Sequence, residues 1–498
     1  MGEVGALRNR VANGAGAEPL QLTILHTSDL RGRLEAMARL SSFARRLRAE
    51  AEAEGRRVFL WDAGDAIDRE ERICRLSKGA GIAPILNAMG YALQTMGASM
   101  AAAYGPSSIA AFAAQAHFPV LAANCRENGR PLPAGLHDYV VLPLRQGHVM
   151  GVIGLASPFE GLFGTGGLRF LDSREVAQTL VGKLTKQGAA PIVVLSHLGL
   201  EADRRLADGV AGIHVILGGG SQGRLVHGEE RNGVLIAQAG QEAEALGRLD
   251  LTLDPATGHV LDRSATVLDV PADEPMDPAV VAAVAAAQAV AEAAWTRPVG
   301  HVTSPLELNH FSECSLGSVA ADALREHFGA GAAIVSGGLM RHAIPAGSLT
   351  FGQLDVAFPT TASPCLSEVR GEQIRAALER SLSPEAGRRL HPALDGAPMG
   401  FPQISGLTVW YDPAGLPGQR VRRVKVQGKL LVSNRIYRLA HTAAETLPGA
   451  GCLELESGQG NVRNGLLLCE VVEEYIRKHT PLAAPRLGRW IAEPQPES

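Results

Sequence analysis

Hydrophobic positions along the chain follow two alternating rhythms. Continuous apolar runs at 22–25, 58–64, 118–124, 148–157, 191–197, 214–220 and 234–240 have the length and Val/Ile/Leu content of buried parallel strands. Between the first two lies 41–55, whose apolar residues recur at helical spacing, and further helices are predicted near 80–90, 106–116 and 174–187. Strand–helix alternation with glycine-rich strand ends predicts an α/β layered domain. Such folds gather ligands at the carboxyl ends of their strands.

The rhythm changes at 247–270, where apolar residues alternate one by one and are broken by Asp-Pro and Thr-Gly turn signals, as in an antiparallel hairpin. A single long helix is predicted over 276–295, with Asp277 as its cap and Pro278 in its first turn. It reads as a connector; a coiled-coil partner surface is the competing reading, weakened by Ala and Val in place of Leu. Beyond it, helices are expected at 315–328 and 371–382 and strands at 332–338, 407–412 and 421–431. The resulting division is a tail (1–20), a first domain (21–270), a linker helix (271–298), a second domain (299–492) and a terminal tail (493–498).

With 498 residues, 46% of them hydrophobic, the chain can build more than one sizeable core. Aromatic residues make up only 4% and the net charge is -4, so neither base-stacking surfaces nor attraction to phosphate backbones or acidic membranes is expected. The first twenty residues lack the apolar core of a signal peptide and no run of about 20 uninterrupted apolar residues occurs elsewhere. A cytoplasmic protein is expected. Six cysteines are scattered without a C-x-x-C pair, as befits buried or free thiols, with one long-range disulfide left open.

Candidate chemistry lies just after the first-domain strands. HTSDLRG carries Asp29 and Arg31, DAGDAID carries Asp65, SHLG carries His197 and GGGSQG carries Gln222. Carboxylates, an imidazole and an amide on strand-end loops are what a pair of divalent cations needs to clamp a phosphate and activate water.

These stretches, with ILNAMGYALQTMGA, FPVLAANC, IVVLSHLGLEADRRLA and VLIAQAGQEAEALGRLDLTL, resemble in order the first domain of bifunctional 5'-nucleotidase/2',3'-cyclic phosphodiesterase enzymes. ECSLGSVAADALR, IVSGGLMRHAIPAGSLTFGQL and VRGEQIRAALERSL resemble the second domain of the same family. The resemblance runs from about residue 21 to 492. It implies a four-layer α/β/β/α metallophosphoesterase sandwich followed by a smaller α+β domain.

Departures from the family pattern fall on its metal ligands. Asp-x-His becomes Asp29-Leu30-Arg31; Gly-Asn-His-Glu becomes Gly97-Ala98-Ser99-Met100, which removes a ligand and the catalytic His; Gly220 stands where a further ligand His belongs. Four of the seven implied ligand positions remain: Asp29, Asp65, His197 and Gln222. Loss of one supporting partner already lowers metal affinity or activity about 10–100-fold, and loss of a general acid–base group about 10²–10⁴-fold. No cofactor is expected, or at most a single Mn, Zn or Mg ion. Arg31 is expected to take the place of the first metal, forking across Asp29 and Asp65 as a permanent cation; the alternative is that it points into solvent.

The second domain shows parallel losses. The family's Pro-Phe-Gly-Asn segment, half of a clamp for the base, is Pro359-Thr360-Thr361-Ala362, and its other aromatic and acidic residues fall at Ala444 and Ala450. His310 replaces an arginine, and Ser315 and Ser318 replace asparagines; Arg341 survives as a phosphate partner. Nucleotide binding is expected to be weak or lost. His26 is read as a strand-end hydrogen-bond partner, and Ser196-His197 as two residues facing opposite ways. The expectation is a family pseudoenzyme that binds or scaffolds an unknown protein partner. The alternative is a working phosphoric ester hydrolase on a reduced metal site.

Overall fold

Runs that are apolar on both faces must be covered on both faces, and the computed structural model shows how. It describes residues 18–127, 133–158, 168–383, 387–390, 394, 397–446, 455, 459–463 and 466–493. Most of both predicted tails, together with Ala450 and Cys452, lies outside these residues.

Leu20–Thr27, Arg57–Asp62, Leu93–Thr95, Val120–Leu121 and Leu136–His137 lie side by side and parallel. The hairpin Ala245–Leu253/Val260–Asp269 joins this sheet antiparallel at Leu20–Thr27 and completes seven strands. A second sheet has six strands, in the order Glu229–Arg231, Val234–Gln238, Val215–Gly218, Ala189–Ser196, Val149–Leu155 and Tyr139–Pro143, of which the middle four are parallel. The sheets pack face to face through Ile24, Trp61, Leu121, Val193 and Leu249. Helix Leu34–Ala53 covers one outer face with Met37, Leu40 and Phe43, and helices Ser173–Lys186 and Leu200–Gly209 cover the other. This is the four-layer α/β/β/α order.

Two predicted elements differ in extent. The strand expected at 118–124 is only Val120–Leu121, because Ala123 N already donates to Gly154 O of the second sheet at 2.7 Å. Helix 41–55 begins seven residues earlier, at Leu34.

The connector runs Pro278–Trp295 with Asp277 as its cap and Pro278 in the first turn. Asp277 is fully buried and accepts from Ala279 N (3.0 Å), Ser41 Oγ (2.8 Å) and Arg45 Nη1 (3.1 Å), so the cap also pins the helix to the first domain. Val280 and Ala291 are buried, while Val290 is 71% exposed. Among the described residues it is the one helix long and apolar enough to cross a membrane by length and composition.

In the second half, a five-stranded sheet (Pro402–Ser405, Ala332–Ser336, Ile436–Thr442, Pro364–Arg370, Gln459–Arg463) adjoins a four-stranded one (Lys429–Leu430, Val421–Val426, Leu407–Tyr411, Trp490–Ala492). Helices Ser315–His327 and Gly371–Ser381 pack on them, Leu468–His479 packs against Ser315–His327, and Phe351–Ala357 against Leu468–His479 and the connector. One apolar cluster runs unbroken from Leu40 and Ile85 through Val280 to Leu316, Phe358 and Ile476, so the halves share a core. Across the junction, Arg75 Nε meets Asp355 Oδ2 at 2.6 Å and Lys78 Nζ meets Glu470 Oε2 at 2.8 Å. The five described cysteines are buried, and Cys74, Cys125, Cys314 and Cys469 are free thiols.

Candidate active site

Hydrogen bonding of the parallel strands continues past their ends and holds the loops in register. Asp29 N donates to Gly64 O (2.8 Å), Arg31 N to Asp65 O (3.1 Å), and Gly219 N to Ser196 O (2.8 Å). Four residues on these loops adopt left-handed backbone: Asp29 (φ 52°), Arg31 (φ 50°), Asp65 (φ 58°) and Gln222 (φ 57°). This conformation costs side-chain-bearing residues about 1–3 kcal/mol each and is found where loops aim side chains at a functional site.

Three of the predicted ligands converge. Ligand atoms of Asp29, Asp65 and His197 lie within 4.8 Å of one another, and all three residues are largely buried. His197 Nδ1 is bonded to Ala63 O (2.7 Å), which leaves Nε2 facing Asp65 Oδ2 at 3.3 Å. Burial works against an imidazolium here. The bond and charge of Asp65, the charge of Asp29 and the Ala63 carbonyl outweigh it and push His197 up to about 9. Burial likewise opposes the Asp65 carboxylate, but His197 and Ser99 hold it below its usual range. The fourth predicted ligand, Gln222, is exposed to solvent.

Donors other than a ligand side chain reach both carboxylates. Ser99 N (2.9 Å) and Oγ (2.8 Å) both donate to the Asp65 carboxylate. Gly97 permits this approach: a Cβ there would lie 2.0 Å from Asp65 Oδ1. Gly220 N donates to Asp29 Oδ2 at 2.9 Å. Asp29 Oδ1 is buried and has no hydrogen-bond partner among the described residues.

The bridging role expected of Arg31 is not what the structure shows. Its Nη2 lies 3.6 Å from Asp29 Oδ1, beyond hydrogen-bond length, and its ion pair is with Asp29 and not Asp65, whose oxygens are taken by Ser99 and His197. The guanidinium instead lines a cavity of about 240 Å³ with Arg69, Asp68, Ser99 and Thr361.

Two divalent ions do not fit these residues. Arg31, Ala98 and Gly220 offer no ligand side chain, a cation stands at the first of these positions, and among the described residues only one group of His, Cys, Asp or Glu could hold an ion. One ion fits once His197 gives up its proton and releases Asp65: Asp29 Oδ1, unpartnered among the described residues, an Asp65 oxygen and His197 Nε2 then make a hard-oxygen and imidazole set suited to Zn or Mn.

Other predicted residues also find different partners. Arg341 donates to the carbonyls of Gly338, Met340 (3.3 Å) and Leu394 (2.5 Å), so these donors tie loops together and are not held for a phosphate. Both ring nitrogens of His26 are buried without a partner among the described residues, against the expected strand-end bond, and burial pushes its imidazolium down to about 4. Ser196 and His197 do face opposite ways, Ser196 Oγ bonding Asp203 Oδ1 at 2.5 Å. Ala444 is buried, and Ser315 Oγ accepts from Glu307 N at 2.7 Å.

Residues 298–451 match the family model of the 5'-nucleotidase C-terminal domain. Over 423 residues the chain is 23% identical to the metallophosphoesterase YunD of Bacillus subtilis, covering 84% of this chain and 91% of that protein. It is 25% identical over 547 residues to a snake venom 5'-nucleotidase of Crotalus adamanteus, covering 96% of this chain and 90% of that protein. Among solved structures, the 5'-nucleotidase precursor of Thermus thermophilus is 25% identical with a TM-score of 0.51, covering 96% of this chain and all of that one.

Proposed function

We propose that this chain, which belongs to the 5'-nucleotidase family of two-domain metallophosphoesterases, has lost two-metal ester hydrolysis and works by binding. The observation that carries this reading is the occupation of Asp65. A carboxylate that bridges two ions must turn lone pairs towards both, and here Ser99 N, Ser99 Oγ and His197 Nε2 already draw on those of the Asp65 oxygens. Reclaiming them means breaking charge-assisted bonds worth roughly 1.5–3 kcal/mol each, with no ligand side chain at 98 or 220 to compensate. The general acid–base group is absent as well, since Ser99 carries no group that titrates near neutrality.

The test combines metal content with turnover. Protein purified in Mn or Zn is expected to hold fewer than two equivalents and to leave bis-p-nitrophenyl phosphate, AMP and cyclic nucleotides intact. Two bound ions with steady turnover would overturn the reading.

One observation favours a second reading, a hydrolase with a single ion. Asp29 Oδ1 is a buried carboxylate oxygen left without a donor, inside a cluster of three potential ligands. In that case Asp29, Asp65 and His197 would hold the ion, which would supply an activated water, and His197 would be kept in orientation by the Ala63 carbonyl. One equivalent of metal together with turnover that Asp29→Asn abolishes would select it.

A further inference from the structure

Arg31 Nε is buried and donates to nothing among the described residues, while Nη2 stops 3.6 Å short of Asp29 Oδ1. Most carboxylate oxygens around it are already served, Asp65 by Ser99 and His197, Asp29 Oδ2 by Gly220 N and Asp68 Oδ1 by Glu70 N at 2.9 Å, and the remaining one, Asp29 Oδ1, lies beyond hydrogen-bond reach. The guanidinium is thus a permanent charge with a long ion pair to Asp29 and no hydrogen-bond acceptor on Nε among the described residues, and it lines an open cavity. Arg69, whose Nε lies 3.6 Å from Glu70 Oε1, lines the same space with Thr361 and with Ser99, whose hydroxyl is given to Asp65.

We propose that this cleft is a small-oxyanion site, in which a phosphate, sulfate or carboxylate group docks between Arg31 and Arg69. The inference deepens the reading above and rests on it only in taking the cleft to be free of a metal pair. Size and lining set the class of ligand. At about 240 Å³ the cavity is smaller than the ~300–1,000 Å³ of sites for larger organic ligands, and its apolar part is Ile67, Ala102 and Ala103, with no ring on which a base could stack. Arginine forks match two oxygens of such a group at once, and Thr361 adds a hydroxyl from the second domain.

Calorimetric titration of the full chain, stripped of metal with EDTA, tests the site. The probes are inorganic phosphate, sulfate, malonate and AMP at one ionic strength set with NaCl. At least one of the first three is expected to bind saturably. Arg31→Gln and Arg69→Gln should each weaken it about tenfold or more, Arg31→Lys should restore part of the affinity, and Arg174→Gln, on a separate groove, should change nothing. Circular dichroism confirms that each variant is folded, and Arg69→Gln serves if Arg31→Gln is not. No saturable binding by the unmodified chain, equal binding by both glutamine variants, or AMP binding tighter than phosphate overturns the inference. Turnover by a metal-loaded sample would refute the loss of hydrolysis while leaving these titrations to decide the anion site by themselves.

Discussion

Replacing Arg75 by methionine tests how firmly the two halves are tied. Arg75 Nε lies 2.6 Å from Asp355 Oδ2, with side chains 21% and 4% exposed, and the guanidinium also sits 5.9 Å from the Trp295 ring. Burial raises the Asp355 carboxyl above its ordinary range, and the charge and hydrogen bond of Arg75 pull it back. Breaking a fully buried pair costs about 3–5 kcal/mol; the partial exposure of Arg75 reduces the expectation for R75M to roughly 2–3 kcal/mol. D355N removes the buried charge and leaves an arginine that water and Trp295 can still accommodate, so about 1 kcal/mol is expected. In a double-mutant cycle the pair should show a coupling of roughly 1–2 kcal/mol. Urea unfolding followed by tryptophan fluorescence reads these differences, with Trp295 at the junction. The pH dependence has a definite sign. Because the folded carboxyl is raised, ionising Asp355 opposes folding, so the R75M deficit is largest at neutral pH and shrinks as the carboxyl is protonated on acidification. A coupling below about 0.5 kcal/mol, or a deficit that grows towards low pH, refutes the account.

Arg31→Ala should change stability by less than about 0.5 kcal/mol in thermal melts, because its 3.6 Å contact to Asp29 is long and the side chain is 35% exposed; a loss above 1.5 kcal/mol would restore the tether. Gly97→Ala should destabilise by about 2–4 kcal/mol, since the added methyl would lie 2.0 Å from Asp65 Oδ1 and 2.3 Å from Asp65 N; an unchanged melting temperature would show the loop to be slack. Burial pushes the Asp62 and Asp203 carboxyls each up to about 7, so both contribute stability below their unfolded values and lose it as pH rises through 7. Unfolding free energy should therefore rise by about 1 kcal/mol per group between pH 8 and pH 6, and Asp203→Asn should flatten the profile; a fall over that interval contradicts the assignment.

Some of this was legible in the sequence for definite physical reasons. Parallel strands covered on both faces read as continuous apolar runs, and Asp277-Pro278 is a helix start whatever surrounds it. That Arg31, Ala98 and Gly220 bring no ligand side chain was equally plain, because an unsuitable side chain is visible in the residue itself. What could not be read was how the remaining groups re-paired. Residue type fixes the donors of Arg31 and Arg341 but not their direction, and Arg341 is spent on the carbonyl of Leu394, 53 positions along the chain. Substitutes at Asp65 and Asp29 come partly from the main chain, from Ser99 N and Gly220 N, which every non-proline residue carries and no motif marks. The same holds for His26, whose isolation follows from close packing against Gly247, where a Cβ would lie 2.1 Å from its Nε2.

Backbone at the strand ends leaves positions 31, 98 and 220 unequally open to a ligand side chain. Arg31, although left-handed, and Ala98 already carry a Cβ, so a donor can be placed at either by exchanging atoms beyond it. Position 220 has no such latitude: its φ is 81° and a Cβ would land 2.8 Å from the His197 carbonyl oxygen. Glycine there acts as a ratchet. An attempt to rebuild the dinuclear centre would stall at 220 unless the loop holding His197 moved first.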